Sequence, residues 1–202
     1  MTNRQLAAAR TKARLTETAK RLICEKGLDT LSVEEITEAC GVAKGTFYTY
    51  FKRKEDIVYE LSREAFGEIL AAAKNFPGNI TERLKNYMVN FSGYIEKSSL
   101  HLCQAWVRDV VVSQTADGAC DKGKLRQDVA AVTDLLRSGV ADGELLPDTP
   151  VDALAGTVVD LLYGQMLCWC LSDGAYGFEA RTRAFCDTYL DDWLGRYIKQ
   201  AP

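Results

Sequence analysis

A chain of 202 residues with 47% apolar and 26% charged side chains can bury a core and is too mixed in composition for a fibrous or disordered protein. It has no run of 18 apolar residues, and its first 14 residues carry four cations without an apolar stretch, so a soluble, cytoplasmic protein with no membrane partner is expected. Seven cysteines, odd in number and irregular in spacing, read as packed thiols rather than a disulfide framework.

Leu15, Ala19, Leu22 and Ile23 recur at helical spacing before Gly27, which predicts an amphipathic helix ending there. Ser32 with Glu35 three residues on is a capping box, so a second helix opens at Val33 with Val33 and Ile36 inward, and Gly41 closes it by taking a left-handed conformation. A third, short helix follows over 43–50. Two helices joined by so tight a turn bury little alone and need the first as a lid. Phe47 and Phe51, four apart, pack inward, while Tyr48 and Tyr50 turn their hydroxyls out. Ala43, Lys44, Gly45 and Thr46 put a small residue, a cation, a glycine and a hydroxyl at the helix start, the pattern that lets a recognition helix approach base edges.

Further on, a helix over 56–74 is broken by Phe76-Pro77-Gly78-Asn79. Asn79 and Glu82 cap the next, with Ile80, Leu84, Tyr87, Met88, Phe91 and Ile95 on one side. A helix over 99–113, a loop over 115–121, a helix marked by Leu125, Val129, Val132, Leu135 and Leu136, an almost wholly apolar helix over 151–171 and a last one over 178–197 complete the chain. The fold class is therefore all-α with about nine helices: an N-terminal three-helix domain over 1–54 and a C-terminal helical domain over 55–202.

Charge supports that division. The whole chain is slightly acidic, with 25 Lys+Arg against 28 Asp+Glu. Residues 1–54 hold 11 basic and 6 acidic side chains and 55–202 hold 14 and 22, so a basic end is joined to an acidic body. Arg4, Arg10, Lys12 and Arg14 form either a basic arm able to reach a minor groove or a frayed, solvated terminus.

The run Gly41-Val42-Ala43-Lys44-Gly45-Thr46-Phe47-Tyr48-Thr49-Tyr50-Phe51-Lys52-Arg53-Lys54-Glu55-Asp56 resembles the signature of the TetR (tetracycline-repressor-like) family of bacterial regulators, and the similarity extends from about Leu15 to Leu61. Arg53 departs from it, standing where a small capping residue is frequent, and Leu31 replaces a frequent threonine. The resemblance implies a DNA-binding first domain in which Lys54 meets a phosphate, a C-terminal effector pocket, and a homodimer made by pairing the last two helices. The expected contacts to double-stranded operator DNA are Ser32, Thr37, Ala43, Lys44, Gly45, Thr46, Tyr48, Thr49, Tyr50 and Lys54. Two recognition helices about 34 Å apart would read a palindrome.

A pocket for a small hydrophobic or aromatic effector is expected from Tyr87, Phe91, Tyr94, Trp106, Tyr163, Met166 and Trp169, although such stripes more often mean simple core. Val158, Leu161, Phe185, Tyr189 and Trp193 are the interface candidates. Cys168 and Cys170, two apart on a helix, point to opposite sides and cannot chelate one ion, and His101 with Cys103 fails likewise, so no metal or cofactor is expected. One histidine, no Gly-x-Ser-x-Gly elbow and no phosphate loop argue against an enzyme. The reading is a ligand-responsive regulator, most simply a repressor. The alternatives are a non-catalytic hydrophobic-ligand carrier and a thiol-based redox-sensing regulator of the same fold.

Overall fold

The computed structural model describes residues 2–28, 30–112 and 122–199, without the side chains of 59, 62–64, 109–112, 122 and 123. The loop expected over 115–121 lies outside the described residues. Among these residues the chain is helical throughout, with a lone antiparallel bridge between Leu145 and Ile198. The helices are α1 (Asn3–Lys26), α2 (Val33–Cys40), α3 (Lys44–Tyr50), α4 (Asp56–Lys74), α5 (Ile80–Ser98), α6 (Leu100–Val112), α7 (Lys122–Ala141), α8 (Val151–Leu171), α9 (Phe178–Phe185) and α10 (Asp191–Gly195), the last two joined by a π segment (Cys186–Leu190).

The chain packs as two compact units, Met1–Glu64 with Ser98–Cys120, and Ala65–Lys97 with Asp121–Pro202. These differ from a division at residue 54, and the reason lies in the first core. Leu15, Ala19 and Ile23 of α1 are buried with Leu31, Ile36, Phe47, Phe51 and Ile57, and the same cluster takes in Leu102 and Ala105 of α6. The Cys24 thiol donates to the Ser98 carbonyl at 2.9 Å, fixing the start of that returning segment. By packing, α6 belongs with the three N-terminal helices.

The first helix begins far earlier than its apolar pattern suggests. Thr2 and Gln5 form a reciprocal capping box, and an alanine-rich stretch carries the helix forward. The basic segment containing Arg4, Arg10, Lys12 and Arg14 is thus neither an extended arm nor a frayed end. Helix α2 follows the sequence signals closely: Ser32 caps it, and Gly41 at φ 68°, ψ 37° closes it in the left-handed region.

In the second unit α5 buries Ile80, Leu84, Tyr87, Met88 and Phe91. Helix α7 approaches it so closely at Gly139 that a Cβ there would stand 2.7 Å from Ile80 Cγ1. The buried Arg83 guanidinium donates to Glu144 at 2.6 Å and Asp142 at 3.3 Å, and Glu144 also accepts from the Ile80 backbone N–H, which pins the turn after α7 to the start of α5. By length and composition α8 is long and apolar enough to cross a membrane; here it buries Leu154, Ala155, Val158, Val159, Leu162, Met166 and Trp169 within the unit.

The helix expected over 178–197 arrives with a π segment inside it, and the spacing of its apolar positions explains why. Phe178, Thr182, Cys186, Leu190 and Leu194 are all buried, each four residues after the last. Four residues of α-helix overshoot a full turn by about 40°, so five such positions would wind away from one side by about 160°. A wider π turn takes up an extra residue and returns Leu190 and Leu194 to the inner face.

The capping box of α2 makes a testable point about charge. The Lys26 ammonium beside Glu35, together with the Ser32 backbone N–H and hydroxyl, holds its carboxyl down to about 2. A depressed folded-state pKa contributes stability that is present at neutral pH and is lost as pH falls from the ordinary carboxylate range through that value. Glu35→Gln keeps a hydrogen-bonding side chain without the charge. It should lower the urea midpoint at pH 7 by more than at pH 3, as followed by circular dichroism; an equal difference at both pH values would show that the charge contributes nothing.

Candidate nucleic-acid interface and second-unit core

The turn between α2 and α3 is held by backbone alone, with Val42 N–H on the Thr37 carbonyl and Gly41 N–H on Glu38, each at 3.0 Å. Helix α3 is anchored from below by Phe47, fully buried, and by Phe51, whose rings are 5.4 Å apart. Ala43, Lys44, Gly45, Tyr48 and Thr49 are left facing solvent, and Thr46 is half-buried. A Cβ built on Gly45 meets nothing within 4 Å, so no neighbour inside the chain requires a glycine there. The exposed face of α3 is therefore low and polar, flanked by the Tyr48 ring, which is 52% exposed.

The other four expected DNA contacts differ from that set and from one another, and Lys44 has a partner on α2. Ser32 is half-buried and committed to its cap: its hydroxyl accepts from Glu35 N–H at 3.1 Å and donates to the Glu35 carboxylate at 2.9 Å. Thr37 is buried, with its hydroxyl turned back to the Val33 and Glu34 carbonyls, both at 3.0 Å. Tyr50 packs half-buried against the first core. The Lys44 ammonium pairs with Glu34 across the two helices. Both partners are about half exposed, and water screens such a pair so strongly that it contributes little, so a phosphate can take that ammonium at little cost.

Lys54, by contrast, points inward. Its ammonium donates to the carbonyls of Leu28 at 2.7 Å and Leu31 at 2.9 Å, which closes the loop between α1 and α2. Those carbonyls lie beyond the end of α1, outside its hydrogen-bond ladder; the cation satisfies both, and the Leu28 carbonyl also accepts the Leu31 N–H at 3.2 Å. The Arg53 departure also resolves locally. Asp56, the first residue of α4, ties down the turn before it, its carboxylate accepting from the Lys52 and Arg53 backbone N–H groups at 2.8 and 2.9 Å, and Arg53 stays within 3.5 Å of the same carboxylate.

Of the seven expected pocket residues, four gather in the second unit around a group that periodicity did not single out. Lys124 and Asp128, one turn apart on α7, form an ion pair with 6% and 4% of their surfaces exposed. The Tyr163 hydroxyl donates to Asp128 Oδ2 at 2.6 Å, and the Lys124 ammonium sits 4.2 Å from the centroid of the Phe66 ring. Phe66 stacks on Phe91 at 4.6 Å and meets Tyr94 edge-on at 5.4 Å, with Tyr87 6.3 Å from Phe91. Burial first, and the Asp128 charge second, push the Tyr87 and Tyr163 phenols far up, so both stay protonated donors. Opposite charges four apart on a helix ordinarily mark a solvated face, so the sequence signal pointed away from this core.

The remaining pocket candidates are elsewhere. Trp106 belongs to the first unit, half-buried against its core. Trp169 stacks on Phe178 at 5.8 Å and donates its Nε1–H to the Tyr176 carbonyl, and Met166 is buried beside it on α8. Among the interface candidates Val158 is buried within its own unit, Leu161, Phe185 and Trp193 are half-buried, and Tyr189 is 58% exposed. The large apolar side chains that α8 exposes are Leu167 and Leu171, the latter 78% exposed, with exposed Cys168 beside them. Both leucines sit in an apolar run whose outward members could not be separated from the inward ones by pattern.

The inward lysine makes a prediction that separates its two roles. Lys54→Ala should destabilise the protein by about 1–3 kcal/mol in urea unfolding, the range for losing hydrogen bonds from a charged donor. Unchanged stability would return Lys54 to the solvent-facing set.

Comparison with known proteins agrees with this geometry. Residues 15–61 match the family described as bacterial regulatory proteins, tetR family. The chain is 32% identical over 87 residues to the HTH-type transcriptional regulator AcrR of Shigella flexneri, a match covering 41% of this chain and 40% of that protein, so it spans less than half of that relative. It is 25% identical over 175 residues to the HTH-type transcriptional regulator UidR of Escherichia coli K12, covering 82% and 85%. Among solved structures, Thermus thermophilus FadR, a TetR-family transcriptional repressor in complex with lauroyl-CoA, superposes with a TM-score of 0.72 over 95% of this chain and 97% of that one, at 16% identity, a likeness of fold. The capped α2, the left-handed turn at Gly41 and the exposed α3 all fall inside residues 15–61, the segment that matches the tetR family of bacterial regulatory proteins.

Proposed function

We propose that the protein is a transcriptional regulator, most simply a repressor, which binds a palindromic operator as a homodimer through α3 and is released by a small effector held in the second unit. The observation that carries the first part is the face of α3. It presents Ala43, Gly45 and Thr49 with no bulk above the backbone, beside an exposed lysine whose present partner is weakly held. Such a face suits close approach to a major groove. The exposed Leu167, Leu171 and Tyr189 on the last two long helical runs support pairing with a second copy, which replaces Val158 as the centre of the interface reading. The aromatic residues around Asp128 support a hydrophobic or aromatic effector. A thiol-based switch has one observation in its favour, the exposure of Cys168, whereas burial pushes the Cys186 thiol up to about 11 and keeps it unreactive.

Gel shifts with the DNA upstream of the protein's own gene test the regulator reading against a ligand carrier, for which no specific retardation is expected. Gly45→Leu should leave circular dichroism and the melting temperature nearly unchanged while abolishing specific retardation. Lys44→Ala should weaken binding to every sequence alike and lower the salt slope by about 1. Wild-type affinity in Gly45→Leu would mean that α3 is not the reading element.

For release, an effector must bind the DNA-free form more tightly, and by reciprocity DNA must weaken its binding by the same factor. Tyr163→Trp, which adds volume beside Asp128, should raise the effector concentration needed for release without weakening the operator complex. An unchanged release midpoint would place the effector elsewhere.

A further inference from the structure

Lys124 stands in an unusual position for a lysine. Its ammonium is buried, donates to both oxygens of an equally buried Asp128, and lies over the face of Phe66. Phe66 is itself backed by Phe91 and edged by Tyr94, and Tyr163 donates its hydroxyl to the same carboxylate. A buried carboxylate beside the faces and edges of aromatic rings is the set of groups that an organic cation uses, because ring faces carry negative charge density and the carboxylate supplies the counter-charge.

We propose that this cluster is a receptor for the head of a hydrophobic organic cation, and that Lys124 fills the cation's place until such a ligand displaces it. The inference rests on the reading of the second unit as the ligand-binding unit and names the ligand's charge.

Three physical arguments favour a cation over an anion or a neutral molecule. An anion entering here meets a carboxylate and the negative ring faces, and the ammonium it would need is already held by both Asp128 oxygens. A neutral ligand leaves the ion pair where it is and gains nothing from Asp128. A cation exchanges with another cation, so Asp128 is compensated before and after, and no uncompensated charge is buried.

The exchange is also asymmetric in hydration. A primary ammonium is a compact, strongly hydrated charge, and burial pushes the Lys124 pKa down despite Asp128, which reflects what holding it out of water costs. Returning it to solvent recovers that hydration, whereas a quaternary or delocalised cation brings in a charge that water holds less tightly. Lys124 lies in the first turn of α7 on a flexible four-carbon stem, so its ammonium can leave Asp128 and the Phe66 face by rotation about its own side-chain bonds.

Isothermal titration calorimetry of the full chain with benzyltrimethylammonium, phenylacetate and benzyl alcohol tests the proposal. The cation should bind, and bind better than either analogue. Lys124→Gln, which removes the resident charge and keeps a donor for Asp128, should tighten the cation roughly tenfold or more, and Asp128→Asn should weaken it by at least about tenfold. The double variant K124Q/D128N leaves no unpaired buried charge and guards against a folding artefact; it should bind the cation no better than benzyl alcohol. Preferential binding of phenylacetate that Lys124→Gln abolishes would overturn the proposal and keep the ligand-binding reading. Cation affinity unchanged in Lys124→Gln would overturn the proposal by removing the displacement. Failure of all three compounds to bind any variant would overturn the proposal and count against this core as the ligand site. Binding as expected, with no release of operator DNA by the cation, would support the receptor while removing it as the effector switch.

Discussion

A helix of seven residues cannot sustain itself in water, because nucleation costs more than so few hydrogen bonds return. Everything exposed by α3 therefore depends on what it buries. Phe47 and Phe51 lock the helix onto Leu15, Ala19 and Ile23 of α1 and Ile36 of α2, and only then can Ala43, Lys44, Gly45 and Thr49 be held outward on a fixed surface. The turn at Gly41 sets the crossing of α2 and α3, and Lys54 fastens the loop on the far side of the same core. The outward face of α3 is held in place by two buried rings.

The three lysines that matter are used in three ways, and burial decides among them. Lys44 is half exposed and weakly paired, so it is available to an outside anion. Lys54 is enclosed by carbonyls and acts as an internal donor. Lys124 is enclosed by a carboxylate and a ring, where its charge is costly unless compensated at every moment. The same side chain is thus an exposed charge, an internal clasp and a buried ion-pair partner.

The sequence made legible those parts of the fold that rest on local rules. Ser32, Glu35 and Gly41 punctuate α2 by hydrogen bonds and backbone conformation within a few residues, and the structure has them in those roles. The start of α1 was missed because alanine and polar residues sustain a helix without an apolar stripe, and only the Thr2 cap marks it. The placement of α6 with the N-terminal helices is a long-range packing choice, visible only once Leu102 and Ala105 have a core to enter. At the interface face of α3 the outward positions could be read from helical geometry. The buried pair of Lys124 and Asp128 could not, since its spacing is that of a surface pair and nothing local says it is inside.

The spacing of four along Phe178, Thr182, Cys186, Leu190 and Leu194 has a consequence for how the C-terminal run tolerates change. Its inner face is kept in line by one wide turn, so what the run depends on is the winding of its backbone as much as the character of its residues. Exchanging Cys186 or Leu190 for another apolar side chain leaves the winding intact. Deleting Asp187 or Thr188 removes the one residue that the wide turn absorbs, so the segment can relax to ordinary α-helix with everything beyond still in line. Rewinding the segment as ordinary α-helix with no residue removed would instead turn everything beyond by about 100°, so that Leu194 would leave the interior and Trp193 would be reaimed, although not one apolar residue had been lost. For the outward side chains near Tyr189, the pitch of this short stretch is itself a determinant of which of them share a surface.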